Sequence, residues 1–144
     1  MWYLDSSVVI KLYFPEPQTK AVSKTISTQR HALIYTSFHE LEIKNAIALK
    51  VFRNEIEKTS GDQIYRDLDN DFDRGILTRP VIDWSMLFAE SVRISRLHTR
   101  SIGTRSLDIL HVAAAILLGC REFLSFDSRQ LELAKKMDLN VITI

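Results

Sequence analysis

As a pattern of apolar and polar positions, the chain alternates between short apolar runs and longer stretches with helical spacing. Four runs are expected as strands: Trp2–Leu4, Ala32–Thr36, Glu122–Ser125 and Asn140–Ile144. A fifth expected strand, Ile76–Val81, contains Pro80, which favours a sheet edge. Apolar residues three and four apart predict helices over Ser7–Tyr13, Gln18–Thr28, Phe38–Glu57, Asp62–Asp73, Trp84–His98, Leu107–Leu118 and Ser128–Met137. Strands separated by helices imply an α/β fold with a parallel sheet covered on both faces. No repeat or compositional break divides the chain, so residues 1–144 are expected to form a single domain.

Composition changes this picture little. The apolar and charged fractions, 46% and 26%, are those of a globular protein, and only four Gly and three Pro leave little room for long loops. The longest charge-free apolar stretch, Ile109 to Cys120, is too short to span a bilayer and includes His111. The N-terminal apolar run lacks a preceding basic region and carries Asp5, unlike a signal peptide. The single cysteine, Cys120, excludes an internal disulfide and suits a reducing compartment. A cytoplasmic protein is expected. Its net charge of +1 is uninformative, but acids gathered in one site would leave a more basic remainder, suited to a polyanion.

In a parallel α/β sheet the functional crevice lies beyond the carboxyl ends of the strands. Asp5 follows the first strand directly, and Asp127 follows Phe123-Leu124-Ser125-Phe126 in the same way. Asp108 opens the most apolar helix. Each acid has an ordinary structural role available. Asp5 precedes a helix it can cap, Asp127 and Gln130 have capping-box spacing, and Asp108 lies at the positive end of a helix dipole.

Glu42 is harder to assign that way. Its helical neighbours are Phe38, Asn45, Ala46 and Leu49, whereas Glu40 has Lys44 at i+4 and reads as a solvated ion pair. A glutamate turned towards a packed face requires a partner, and the sequence offers no basic residue one turn away. A cation would serve. Several carboxylates in one crevice repel one another unless a divalent ion neutralises them, and hard oxygen donors suit Mg²⁺ or Mn²⁺.

In these blocks the sequence resembles PIN-domain ribonucleases. The residues concerned are Asp5 in YLDSSVVIKLYFPEP, Glu42 in TSFHELEIKNAI, Asp108 in RSLDILHVAAAILLG and Asp127 in FLSFDSRQLELAKKMDLNVI. The likeness is closest to VapC-type toxins of VapBC toxin–antitoxin pairs and covers essentially the whole chain. It implies a three-layer α/β/α fold with a five-stranded parallel sheet of order 3-2-1-4-5. It implies a metal-dependent endoribonuclease that uses Mg²⁺ or Mn²⁺, forms homodimers and is inhibited by a small antitoxin. It also implies an acidic quartet of Asp5, Glu42, Asp108 and Asp127 as catalytic and metal-binding residues, and cleavage leaving a 5′-phosphate and a 3′-hydroxyl. Ser6 and Ser125 match supporting hydroxyls, with local capping as their alternative role. Arg105 and Arg129 lie in matching blocks as candidates for gripping RNA phosphate, or for pairing with the acids.

Other readings are weaker. A catalytically inactive PIN-fold RNA-binding module would ordinarily have lost one of the four acids. An aspartyl-phosphate enzyme wants a second Asp where Ser7 stands. In DLDNDFDRG, counted from Asp69, Arg74 and Pro80 occupy the positions where a calcium loop needs Gly and Glu. That stretch reads as a solvated acidic helix face. WSMLFAESVRISRL is expected to pack with Leu87, Val92 and Ile94, and Tyr13 and Phe14 are candidates for contacting a partner segment.

Overall fold

A computed structural model describes residues 1–14, 17–28 and 31–143 of the 144. The elements run β1 (Trp2–Leu4), α1 (Ser6–Ile10), α2 (Thr19–Ile26), β2 (Leu33–Ile34), α3 (Ser37–Phe52), α4 (Lys58–Asp73) and β3 (Leu77–Thr78). They continue with α5 (Trp84–Ile102), α6 (Ser106–Leu117), β4 (Glu122–Leu124), α7 (Ser128–Lys136) and β5 (Asn140–Val141). The chain divides into two compact units, one of residues 1–8 with 80–144 and one of residues 9–79.

In the first unit β1, β4 and β5 form a parallel sheet in that order, with Tyr3 opposite Phe123 and Phe123 opposite Val141. Tyr3, Leu4, Phe123 and Leu124 are buried, and the Tyr3 and Phe123 rings stack with centroids 5.6 Å apart. Helix α6 is apolar nearly all round and accordingly buries Ile109 and Val112 to Ala115. Its alanines, Ala113 to Ala115, are fully buried, and small side chains let a helix lie close to its neighbours. Helix α5 begins at the Asp83 cap, whose carboxylate accepts the Met86 N–H (3.0 Å), and stops at Gly103, where φ is 75°. Leu87 and Ile94 face the core as expected, but Val92 is exposed.

In the second unit β2 and β3 pair in parallel, Leu33 opposite Leu77 and Ile34 opposite Thr78. Helix α3 is capped by Thr36, whose backbone N–H donates to the buried His39 ring (3.1 Å). The pattern predicted α3 as far as Glu57. It ends at Phe52 because Asn54 takes a left-handed φ of 56°, a conformation asparagine tolerates. The calcium reading of the acidic stretch is excluded, since α4 is helical through Asp73. There Asp71 accepts the Tyr13 hydroxyl (2.7 Å), and Phe14 is buried with Lys50 Nζ 5.2 Å from its ring centre. Tyr13 and Phe14 are therefore structural within this unit rather than a free docking face.

The observed strand orders, β1-β4-β5 and β2-β3, each match a run of the expected 3-2-1-4-5 order. They form two ladders, each inside one unit, in place of the expected single five-stranded sheet. The strands are two or three residues long, so each ladder contains few rungs. Of the last expected strand, Ile144 lies outside the described residues.

Phe123 anchors the three-stranded sheet, and Phe123→Ala is expected to cost about 3–5 kcal/mol, measured by urea unfolding. A loss under about 1 kcal/mol would mean the ring is not part of a close-packed core.

Candidate functional site

Strand β1 delivers the first acid. Beyond Leu4 the ladder continues through the Asp5 N–H, which donates to the Leu124 carbonyl (3.0 Å). The Asp5 carboxylate is buried and held from three sides. Oδ1 accepts the Ser7 hydroxyl (2.7 Å) and the Val8 N–H (3.0 Å), and Oδ2 accepts the Ser125 hydroxyl (2.8 Å). Asp5 thus caps α1, as a structural reading requires, but a cap needs only one of these donors.

Ser125 links the two strand exits. Its oxygen accepts the Asp127 N–H (2.9 Å) while its proton goes to Asp5. Asp127 caps α7 through Oδ1, which accepts the Arg129 and Gln130 N–H groups at 2.8 and 3.0 Å. The expected capping box is only half formed, because the Gln130 side chain turns elsewhere. Its Nε2 reaches the Asp108 carbonyl (3.5 Å) in the first turn of α6. Asp108 Oδ2 accepts the Arg105 N–H (3.0 Å), closing the loop that precedes its own helix. Asp5, Ser125, Asp127, Gln130 and Asp108 therefore form one connected hydrogen-bonded chain in the first unit.

Glu42 lies on α3 in the second unit and is half-buried. Of its helical neighbours Phe38 is buried, Ala46 half-buried, and Asn45 and Leu49 exposed. It stands at the rim of the packed face rather than within it. Glu40 is the solvated pair expected, bonded to Lys44 (2.7 Å) and also to Arg79 (2.6 Å).

Two supporting residues, Ser7 and His111, escaped the sequence pattern. Ser7 holds Asp5, whereas Ser6 Oγ lies 3.4 Å from Nε2 of the buried His111. His111 Nδ1 in turn lies 3.0 Å from the Tyr3 hydroxyl. Arg105 and Arg129 are exposed; the Arg129 guanidinium donates to the Gly103 carbonyl (3.2 Å). Among the described residues neither forms an ion pair with an aspartate.

Burial pushes the Asp5 carboxyl above the usual aspartate range. The nearby His111, the Ser7 and Ser125 hydroxyls and the Val8 amide act in the opposite direction without cancelling it. Among the described residues no three His, Cys, Asp or Glu side chains stand close enough together to make a ready cation site. Two features nonetheless fit a hydrated divalent ion. The donors are carboxylate oxygens, one of them held in a buried position that disfavours its charge. Gln130 Oε1, joined to Asp108 and Asp127 through the rest of its residue, is a buried acceptor with no donor among the described residues. An unmet buried acceptor costs about 1–3 kcal/mol, and the waters that Mg²⁺ or Mn²⁺ retain are donors.

A parallel α/β fold with aspartates at adjoining strand exits defines the class, and comparison gives the family. The family pattern described as PIN domain matches residues 2–136, and the chain belongs to that family. The solved structure described as FitAcB from Neisseria gonorrhoeae superposes with a TM-score of 0.71. It is 16% identical and the match covers 99% of this chain and 97% of that one, a likeness of fold. No curated protein matches.

The raised Asp5 carboxyl makes stability depend on pH. Native Asp5 keeps its proton to higher pH than the unfolded chain does, so stability is lost as pH climbs from the ordinary aspartate range through the native value. In chelator, wild type is expected to lose melting temperature relative to Asp5→Asn, whose side chain does not titrate, as pH rises from the ordinary aspartate range towards neutral. A wild-type advantage that grows towards neutral pH would contradict this account.

Proposed function

We propose that this protein is a metal-dependent endoribonuclease hydrolysing RNA phosphodiester bonds, the VapC-type toxin of a toxin–antitoxin pair. The observation carrying the reading is the hydrogen-bonded chain joining Asp5 and Asp127, beyond β1 and β4, to Asp108 in the first turn of α6 of a PIN-family chain. In this reading residues 1–144 act as one nuclease domain. Asp5, Asp108 and Asp127 hold Mg²⁺ or Mn²⁺, and Glu42 is assigned as the fourth carboxylate from its sequence block.

A bound divalent ion supplies Lewis-acid polarisation of the phosphate and makes water acidic enough to attack at neutral pH. The chain's own residues set the geometry. Ser7, Ser125 and the Val8 amide fix both oxygens of Asp5, so the carboxylate is preorganised before substrate arrives. The α7 amides fix Asp127, and the Arg105 amide fixes Asp108. The exposed guanidiniums of Arg105 and Arg129 are suited to gripping the RNA backbone through paired phosphate oxygens. The products are a 5′-phosphate and a 3′-hydroxyl.

Partners follow from the same reading: a small cognate antitoxin and a second copy of the chain, in the cytoplasm. Helix α5 supports a protein partner, since it exposes Trp84, Met86, Phe88 and Val92. No helix among the described residues is long and apolar enough to cross a membrane.

Asp5→Asn and Asp108→Asn are expected to reduce Mn²⁺-dependent RNA cleavage to the level seen in chelator while keeping the native circular-dichroism spectrum. Mapping RNA ends after brief induction of wild type and Asp5→Asn should show new 5′-phosphate ends only with wild type. Undiminished cleavage by the variants, or by wild type in excess chelator, would overturn the assignment. Mn²⁺ binding without turnover of any RNA would favour the inactive module. Ser125→Ala, which removes a support of Asp5 and not a ligand, should lower metal affinity or activity by about 10–100-fold.

A further inference from the structure

Gln130 is 1% exposed at the third position of α7. Its backbone N–H donates to Asp127 Oδ1 (3.0 Å) and its Nε2 to the Asp108 carbonyl (3.5 Å), so one residue touches both aspartate positions. Its Oε1 alone, among buried side-chain nitrogens and oxygens of the described residues, has no hydrogen-bond partner. Turning the amide over does not relieve this. It would set Oε1 against the Asp108 carbonyl, acceptor against acceptor, and would forfeit the bond that Nε2 makes. Nor is bulk the explanation, because Met or Leu would fill comparable space without an unmet acceptor.

We propose that Gln130 is a positioning residue of the metal site, its Oε1 reserved for a donor from the hydration shell of the divalent ion held by Asp108 and Asp127. Mg²⁺ and Mn²⁺ sites commonly keep several waters, and an amide oxygen pairs with such a donor without adding charge. The same side chain ties the first turn of α6 to the start of α7, setting the spacing of the two carboxylates. The inference rests on the nuclease reading and adds a residue to it.

The two roles open to Gln130 differ in sign. If its amide serves the fold alone, Gln130→Met lowers the melting temperature in chelator and leaves ion binding unchanged. As a positioning residue with an unmet acceptor, Gln130→Met melts in chelator at or above wild type. It then binds Mn²⁺ about 10–100-fold more weakly by calorimetry on RNA-free full-length protein. Gln130→Leu provides a second apolar replacement with the same expected result. Unchanged Mn²⁺ affinity in the variants beside a binding wild type overturns this inference alone. Absence of Mn²⁺ binding by wild type overturns the nuclease reading with it. Failure of both variants to fold cooperatively also overturns the inference, by showing that the amide is required for the fold.

Discussion

The buried carboxylate of Asp5 is the constraint around which the first unit is arranged. A charge at that depth is disfavoured, and the chain spends two hydroxyls and a backbone amide to hold it. Those donors come from α1 and from the exit of β4, so the β1–β4 pairing and the Asp5 network require each other. A slip of one residue in that parallel register would turn Ser125 to the opposite face and remove it from Asp5. The stacked Tyr3 and Phe123 rings hold the register two residues upstream of these groups.

Polar order then spreads outward from Asp5. Ser125 has one proton to give, and the Asp127 N–H needs its oxygen, so the hydroxyl can point only one way. Asp127 in turn orders the first turn of α7, and Gln130 carries the connection to α6. The arrangement stabilises helix starts and also leaves an acid in an environment that opposes its charge. A carboxylate kept for helix capping alone would be better placed near solvent, as Asp83 is at the start of α5. Asp5 is expensive where it stands, and the two hydroxyls and the amide that hold it offset only part of that cost.

Much of this was legible in the sequence, and the misses have identifiable causes. Asp5, Asp108 and Asp127 are visible because strand exits and helix starts have local signatures, and the acids fall on them. Glu40 with Lys44 is visible because helical spacing alone brings them together. Ser6 and Ser7 are adjacent hydroxyls following one aspartate, and spacing does not say which one turns back to Asp5. Gln130 matched a capping box three residues after Asp127, a local partner that in the folded chain gave way to the Asp108 carbonyl. Tyr13 and Phe14 were open to a partner-contact reading because Asp71 and Lys50, which engage them, are distant in sequence.

The sequence by itself determined the alternation of strands and helices and the acids at their junctions, because each depends on residues within a few positions of one another, and its single cysteine excluded an internal disulfide. The exposure of Val92 beside Trp84, Met86 and Phe88 on α5, the Ser125 donor to Asp5 and the reach of Gln130 to the Asp108 carbonyl were decided only by tertiary structure. Each depends on competition among groups brought together by folding. A hydroxyl or amide takes the acceptor that burial leaves unmet, and burial is a property of the whole packed unit rather than of any local stretch.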